Sequence, residues 1–189
     1  MEPTDESLCR RVAGKDEAAF DILVGRYQQR AYRLAWSVLR DAEEARDLAQ
    51  EAFIRIYQAA GTFDGRSKFS TWFYRVLLNL CLDHKRKHKW WRQVFARPGE
   101  DDDGADPVAR VAAPPSDPVE RLDREQMMKR LTAEVERLSP QQRGAVVLQL
   151  EGLATSEIAE VLGCSEATVR VHLHRALATL RKTCIPTTT

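Results

Sequence analysis

Apolar residues recur at three- and four-residue steps through most of this chain. Phe20, Leu23, Val24, Tyr27, Ala31, Leu34 and Val38 fall on one line, the period of a helix with a single buried face. Asp41 followed by Glu44 has the form of a capping box, and it opens a second helix through Leu48, Ala52, Ile56 and Tyr57. The stretch from Gly61 to Ser67 breaks the pattern with two glycines. Ser70 or Thr71 then offers the side-chain oxygen that can cap a third helix, running from Trp72 into the basic residues beyond Asp83. Further along, the pattern predicts a helix around Arg121–Leu138, a helix start at Ser139-Pro140, a helix over Gln141–Leu150 and two shorter helices. No strand alternation and no internal repeat emerges, so the expected fold class is all-α.

The pattern fails in one place. The segment RPGEDDDGADPVARVAAPPSDPVE carries five of the eight prolines and little apolar periodicity, which reads as a flexible, acidic, Pro-rich linker. It divides the chain into two small helical domains, 15–92 and 120–184, around a linker over 93–119. A stretched tether of about 20 residues reaches roughly 70 Å at ~3.3–3.6 Å per residue.

Charge changes the picture more than composition does. The net charge of +1 hides strong segregation. From His84 to Arg97 there are six Lys or Arg and no acid, whereas Pro98 to Glu120 holds seven acids against Arg110 alone. From Ala167 to Lys182 there are four bases and no acid. Local charge decides where a phosphate backbone can sit. No apolar stretch approaches the ~20 residues of a membrane span, and the opening MEPTDESLCRR lacks a signal peptide's apolar core. The expectation is a cytoplasmic protein without membrane insertion. Cys9, Cys81, Cys164 and Cys184 form no CxxC pair, which suggests neither a disulfide framework nor a zinc knuckle; inert thiols are expected.

The strongest local signal is TSEIAEVLGCSEATVRVHLHRALATLRK. Thr155 can cap a short helix with Ile158, Ala159 and Leu162 inward, Gly163 permits a sharp turn, and Ser165 can cap the next helix. That helix puts Val169, Leu173, Ala176, Leu177 and Leu180 on its buried side. This is helix-turn-helix spacing. The opposite side presents Thr168, Arg170, Val171, His172, His174 and Arg175, with Ser165 beside them. Arginine there can grip guanine in the major groove or clamp phosphates. The same spacing also suits an ordinary helical hairpin with a solvated basic face.

Two blocks carry a family resemblance. DAEEARDLAQEAFIRIYQAAGTFDGRSKFSTWFYRVLLNLCLDHKRK resembles region 2 of bacterial sigma factors, and LSPQQRGAVVLQLEGLATSEIAEVLGCSEATVRVHLHRALATLRK resembles their region 4. With only these two regions, the layout is similar to the extracytoplasmic-function (ECF) subgroup of the sigma-70 family. The resemblance implies a subunit that binds core RNA polymerase, directs it to promoters and helps melt the −10 element. It implies that Asp47, Leu48, Gln50, Glu51, Phe53 and Ile54 meet a coiled coil of the polymerase's largest subunit. Leu48 and Phe53 equally suit the helix core. It implies −10 contacts from Phe63, Arg66, Lys68, Phe69, Ser70, Trp72 and Arg75, extended by Asn79, Asp83, Arg86 and Lys87. Cations and aromatics are what an unpaired strand needs, since stacking contributes ~1–3 kcal/mol per base. Trp72, Phe73 and Val76 also have core spacing. It implies −35 contacts from Arg170, Val171, His174 and Arg175, with Ser165, Thr168 and His172 beside them. Many relatives have a small polar residue in place of Val171, and valine can offer only an apolar contact, such as to a thymine methyl. An anti-sigma partner is also implied.

Other chemistry is weaker. Cys81, His84 and His88 share a helical face, but no fourth metal ligand accompanies them. KRKHKWWRQVF suits an anionic membrane surface, though its place at the end of a DNA-binding helix favours phosphate. No phosphate loop or nucleophile–base pairing stands out, so no cofactor, no metal and no catalytic residue is expected, and the chain reads as a non-enzyme. The alternative function is a stand-alone helix-turn-helix regulator acting without polymerase.

Overall fold

The computed structural model describes residues 2–95, 133–135 and 137–184. Most of the expected linker and most of the expected helix around Arg121–Leu138 lie outside the described residues. All regular structure among the described residues is helical, in two bundles.

The N-terminal bundle has four helices: α1 (Asp5–Ala13), α2 (Glu17–Leu39), α3 (Ala42–Ala59) and α4 (Phe69–Phe95), with a short 3-10 turn at Ala60–Thr62 before α4. Helix α1 went unread in the sequence, where its apolar line is only Leu8, Cys9 and Val12; all three are buried. Its first-turn Asp5 pairs with Arg26 at 2.6 Å and accepts from the Tyr27 hydroxyl. Asp16 caps α2 by accepting from the Ala19 amide at 3.0 Å, and Arg40 closes that helix in the left-handed region at φ 65° with its guanidinium 4.0 Å from the Trp36 ring centre. Asp41 caps α3 as expected, 2.8 Å from the Glu44 amide. Helix α4 departs from expectation, because neither Ser70 nor Thr71 caps it. It begins one turn's edge earlier, and the Phe69 amide donates to Glu6 of α1 at 3.1 Å; a carboxylate from another helix does the work of a local cap. At its far end α4 continues to Phe95, beyond the boundary at 92.

The centre of this bundle is aromatic. Tyr27, Phe69, Phe73 and Tyr74 are buried and pack edge-on or tilted at centroid distances of 5.2–6.0 Å about Tyr27, the geometries that ring quadrupoles favour. Phe20, Phe53 and Tyr57 extend the cluster.

The C-terminal bundle has α5 (Pro140–Leu150), α6 (Thr155–Leu162) and α7 (Glu166–Cys184). A reciprocal capping box opens α5, with Ser139 Oγ accepting from the Gln142 amide at 3.2 Å and Gln142 Oε1 accepting from the Ser139 amide at 2.9 Å. Proline at the first position lacks the amide that would otherwise want a partner. Helix α6 corrects a second expected cap: Ala154 holds the cap position, Thr155 is the first helical residue, and Glu157 accepts from the Ala154 amide at 2.8 Å.

Candidate DNA and polymerase interfaces

The turn between α6 and α7 is built as the sequence suggests. Gly163 sits at φ 63°, ψ 37°, a conformation that costs side-chain-bearing residues, and Ser165 Oγ accepts from the Thr168 amide at 3.1 Å. Ile158, Val161, Val169 and Ala176 are buried between the helices, and Ala159 allows their close approach. Leu177 is a correction: it is 51% exposed. Val169 and Ala176, seven positions apart, define the inward line, and Leu177 lies about 100° beyond it on a 3.6-residue helix.

On the outer face of α7, Ser165, Arg170, Val171, His174 and Arg175 are exposed, while Thr168 and His172 are half-buried. The Thr168 hydroxyl lies 2.9 Å from Ser165 Oγ, so both are engaged in the cap. His172 turns Nδ1 inward. Arg170 is paired with Glu166 one turn back at 2.8 Å, and His174 and Arg175 are exposed beside it on the reading face.

On the N-terminal bundle, the loop before α4 and the outer side of α4 carry a second polar face. Phe63 and Trp72 are half-buried with ring centres 5.2 Å apart, a surface platform backed by Phe69. Phe69 itself is fully buried, so its side chain serves the platform from behind and does not face solvent, contrary to the expected DNA contact. Arg66 is 90% exposed beside Asp64. Asn79, Asp83, Arg86 and Lys87 are exposed along α4, with Arg86 paired to Asp83 one turn back. Ser70 is half-buried. Lys68 and Arg75 point toward the other bundle, Lys68 to Glu157 at 2.9 Å and Arg75 to Glu160 at 3.3 Å. Phe73 is wholly core, as its helical spacing allowed.

Helix α3 presents Asp47, Gln50 and Ile54 to solvent, with Ile54 52% exposed. Glu51 lies alongside, 2.9 Å from Arg55. Steps of three and four make these one stripe. Leu48 is half-buried, and Phe53 is buried with its ring 5.0 Å from Phe73. Of the six residues expected to meet polymerase, Phe53 therefore shapes the stripe from below.

Two of the thiols are passive. Cys9 and Cys81 are fully buried, and burial pushes their pKa values up to about 11 and about 12, which removes thiolate character at neutral pH. His84 Nε2 lies 2.9 Å from Glu44 of α3, tying α4 to α3.

Family comparisons match both halves of this architecture. The Sigma-70 region 2 family model matches residues 23–91, and the Sigma-70 region 4 model matches residues 128–180. The chain is 34% identical to the RNA polymerase sigma-H factor of Pseudomonas aeruginosa over 96% of its length and 94% of that protein. It is 32% identical to the ECF RNA polymerase sigma factor SigW of Bacillus subtilis, over 96% of this chain and 97% of the relative. The chain belongs to the ECF subgroup of the sigma-70 family. Among solved structures, CnrH in complex with the cytosolic domain of CnrY shares the fold at a TM-score of 0.64 and 24% identity, covering 95% of this chain and 96% of that one. The sigma factor RpoE of Bartonella quintana, in complex with the anti-sigma factor NepR, does so at 0.60 and 23%, covering 87% and 96%.

In sigma-factor terms, region 4 packs directly on region 2. Helix α5 lies along α2, and α6 lies along α4. Arg143 of α5 is 6% exposed, and its guanidinium donates to the carbonyls of Ser37 and Val38 at the end of α2 and of Leu138 in its own region. Free carbonyls at a helix C-terminus carry partial negative charge, so a cation is well placed there. Glu151 is met by Arg30 at 3.3 Å and by Arg33 at 2.6 Å. A polar cavity of about 120 Å³ lies beside these pairs, lined by Tyr27, Arg30, Lys68, Ser70, Tyr74 and Glu157 among others. Sequence reasoning passed over Arg143, Glu151, Glu157 and Glu160. Each looks like an ordinary solvated charge, and the only local signal is that Glu151, Glu157 and Glu160 lie just ahead of the basic helix.

Proposed function

We propose that this chain is an initiation subunit that binds core RNA polymerase, recognises −35 DNA with α7 and melts −10 DNA with the loop and helix around α4. It acts with polymerase in the cytoplasm, and the phosphoryl chemistry belongs to polymerase. The functional units are 15–92 and 120–184. The carrying observation is that one chain combines an exposed reading helix on a helix-turn-helix with a separate bundle bearing both an acid–amide stripe and an aromatic–cationic face. A regulator that binds only duplex DNA has no use for the second bundle's two surfaces.

Each surface has a role. Asp47, Gln50, Glu51 and Ile54, with Leu48 at the edge, dock a polymerase helix, and Phe53 holds that stripe in shape. Phe63 and Trp72 stack unpaired bases, while Arg66, Lys68, Arg75, Arg86 and Lys87 follow the strand's phosphates and Ser70, Asn79 and Asp83 supply hydrogen bonds. Phe69 backs the platform. His174, Arg175, Arg170 and Val171 read duplex edges and phosphates. A protein partner that covers these faces completes the reading; RpoE of Bartonella quintana was solved in complex with an anti-sigma factor, NepR.

The test is transcription in vitro with purified core polymerase on a pool of promoters, with and without the chain. Protein-dependent starts sharing −35 and −10 motifs are expected. Asp47→Arg, at an exposed position, is expected to weaken core binding roughly tenfold, about 1.4 kcal/mol, and leave the helical content unchanged. Failure of both core binding and initiation, alongside tight binding to a duplex site by the chain alone, would replace this reading with the stand-alone regulator.

A further inference from the structure

Helix α1 lies ahead of the stretch that the region 2 family model matches, and none of the surfaces assigned above includes it. Its apolar side goes into the core through Leu8, Cys9 and Val12. Its first turn does something else. Asp5 and Glu6 stand there, where acids complement the helix's own dipole, and both reach other elements. Asp5 pairs with Arg26 at 2.6 Å and accepts from the Tyr27 hydroxyl at 2.5 Å. Arg26 also donates to the Pro3 carbonyl at 3.0 Å, which fastens the start of α1 to α2. Glu6 accepts from the Phe69 amide at 3.1 Å. Helix α1 packs as well on the 3-10 turn at Ala60–Thr62, the entry to the loop before α4.

These contacts converge under the Phe63–Trp72 platform. The first amides of a helix have no partner within it. Lys68 holds the cap position of α4, its carbonyl accepting from the Trp72 amide, but its side chain has no oxygen to offer Phe69. Glu6 supplies that oxygen. Asp5 in turn fixes Tyr27, whose ring centre lies 5.3 Å from that of Phe69. The Phe69 ring lies 6.2 Å from Phe63 and 6.0 Å from Trp72. One buried residue therefore receives both acids' contacts and touches both rings of the platform.

Resting on the sigma-factor reading, we propose that α1 is a positioning element for the −10 face, with Glu6 and Asp5 as its positioning residues. They act through Phe69, setting the depth and tilt of Phe63 and Trp72. A base stacks best on rings already in place, because a loose platform must be ordered at the moment of binding. Without Glu6 the first turn of α4 loses its cap, and Trp72, the fourth residue of that helix, moves with it. The effect falls on the unpaired −10 strand. It spares polymerase, which meets α3, and duplex −35 DNA, which meets α7.

The experiment uses the full chain assembled with core polymerase. The probe is a forked DNA with an unpaired −10 strand, cut from a promoter that the transcription pool yields. Glu6→Ala is expected to weaken fork binding roughly three- to tenfold, about 0.7–1.4 kcal/mol, the scale of a lost cap, with affinity for core polymerase near wild type. Glu6→Gln keeps a carbonyl oxygen for the Phe69 amide and is expected to bind within about twofold of wild type. Asp41→Ala removes a cap of the same kind from α3; it is expected to lower the urea midpoint of region 2 as Glu6→Ala does, without weakening fork binding. Tyr27→Phe keeps the ring and removes only the bond to Asp5, and a loss of roughly two- to fivefold is expected. Wild-type fork binding by Glu6→Ala overturns the proposal. So does Glu6→Gln as weak as Glu6→Ala, or Asp41→Ala as weak as either. No loss in Tyr27→Phe removes Asp5 from it. A fork bound no better by the wild-type holoenzyme than by core polymerase alone would sink the sigma reading and the proposal together, whereas wild-type binding with a silent Glu6→Ala sinks the proposal alone.

Discussion

Regions 2 and 4 solve the same problem, a small helical core beneath a DNA-facing surface, with different materials. All four Trp, four Tyr and six Phe of the chain lie at or before Phe95, and region 4 has none. In region 2 the rings interlock through Tyr27, Phe53, Phe69 and Phe73, and the cluster reaches the surface at Phe63 and Trp72. Region 4 is held instead by aliphatic contacts around Leu148, Ile158 and Val169, by a capping box and by the buried Arg143. The difference follows the substrate each is proposed to meet. Unpaired bases need flat, rigid apolar platforms, whereas a duplex is read by polar side chains on a helix that needs only a narrow apolar seam beneath it. The same ring cluster therefore builds the core of region 2 and supplies its surface.

That comparison can be broken most forcefully at Phe73. The ring is fully buried at the centre of the cluster, so Phe73→Ala is expected to destabilise region 2 by about 3–5 kcal/mol. Tryptophan fluorescence reports on region 2 alone, since region 4 has no aromatic residue, while far-ultraviolet circular dichroism reports on both. In urea, the fluorescence transition should move to much lower denaturant and part of the helical signal should persist beyond it. Coincident transitions would mean that the two regions unfold as a single unit. A smaller effect belongs to region 4. Arg175→Ala removes an exposed reading side chain and is expected to cost about 1–3 kcal/mol of sequence discrimination, read as a lost preference for the cognate −35 duplex over a mismatched competitor. Core-polymerase binding should stay near wild type. Unchanged discrimination would move the reading role to His174 and Arg170.

Local structure was legible wherever it depended on neighbours in sequence. The line from Phe20 to Val38, the Asp41 cap, the Ser139-Pro140 start and the Gly163 turn all appear in the structure because a period, a cap or a positive φ is written within a few residues. What depends on distant partners was not legible. Helix α4 begins before Ser70 because Glu6, sixty-three positions earlier, supplies the cap. Helix α1 is short, and its three apolar residues gain meaning only against α2 and α4. Phe53 fits the family's contact motif and the core spacing equally well, and Phe69 reads only as a surface contact; both are buried by rings from other helices. Arg143 sits among glutamines like a surface residue, yet its partners on α2 are over a hundred positions away. Charge pairing across two domains leaves no periodic trace.

The smallest effect separates the two regions by pH. Both have a helix-start carboxylate held below the ordinary range: Asp16 by the Ala19 amide and then Arg11, and Glu157 by the Ala154 amide and then Lys68. A lowered carboxylate stabilises the fold fully above its ordinary pKa, near 4.5 for Glu157, and that contribution disappears as pH falls through the lowered value. The partner sets the difference. Arg11 is local to the N-terminal bundle, so acidification at Asp16 acts within region 2. Lys68 lies across the contact, so protonating Glu157 loosens both the start of α6 and the docking of region 4. Glu157→Gln should therefore fall behind the wild-type chain by less than about 1 kcal/mol at pH 7, as expected for a pair with one exposed partner, and the gap should close as pH falls through the lowered value. Added salt should shrink that gap by screening Lys68 while leaving the share due to the Ala154 amide. A gap that grows as pH falls would reverse the assigned sign and remove Glu157 from the contact's energetics.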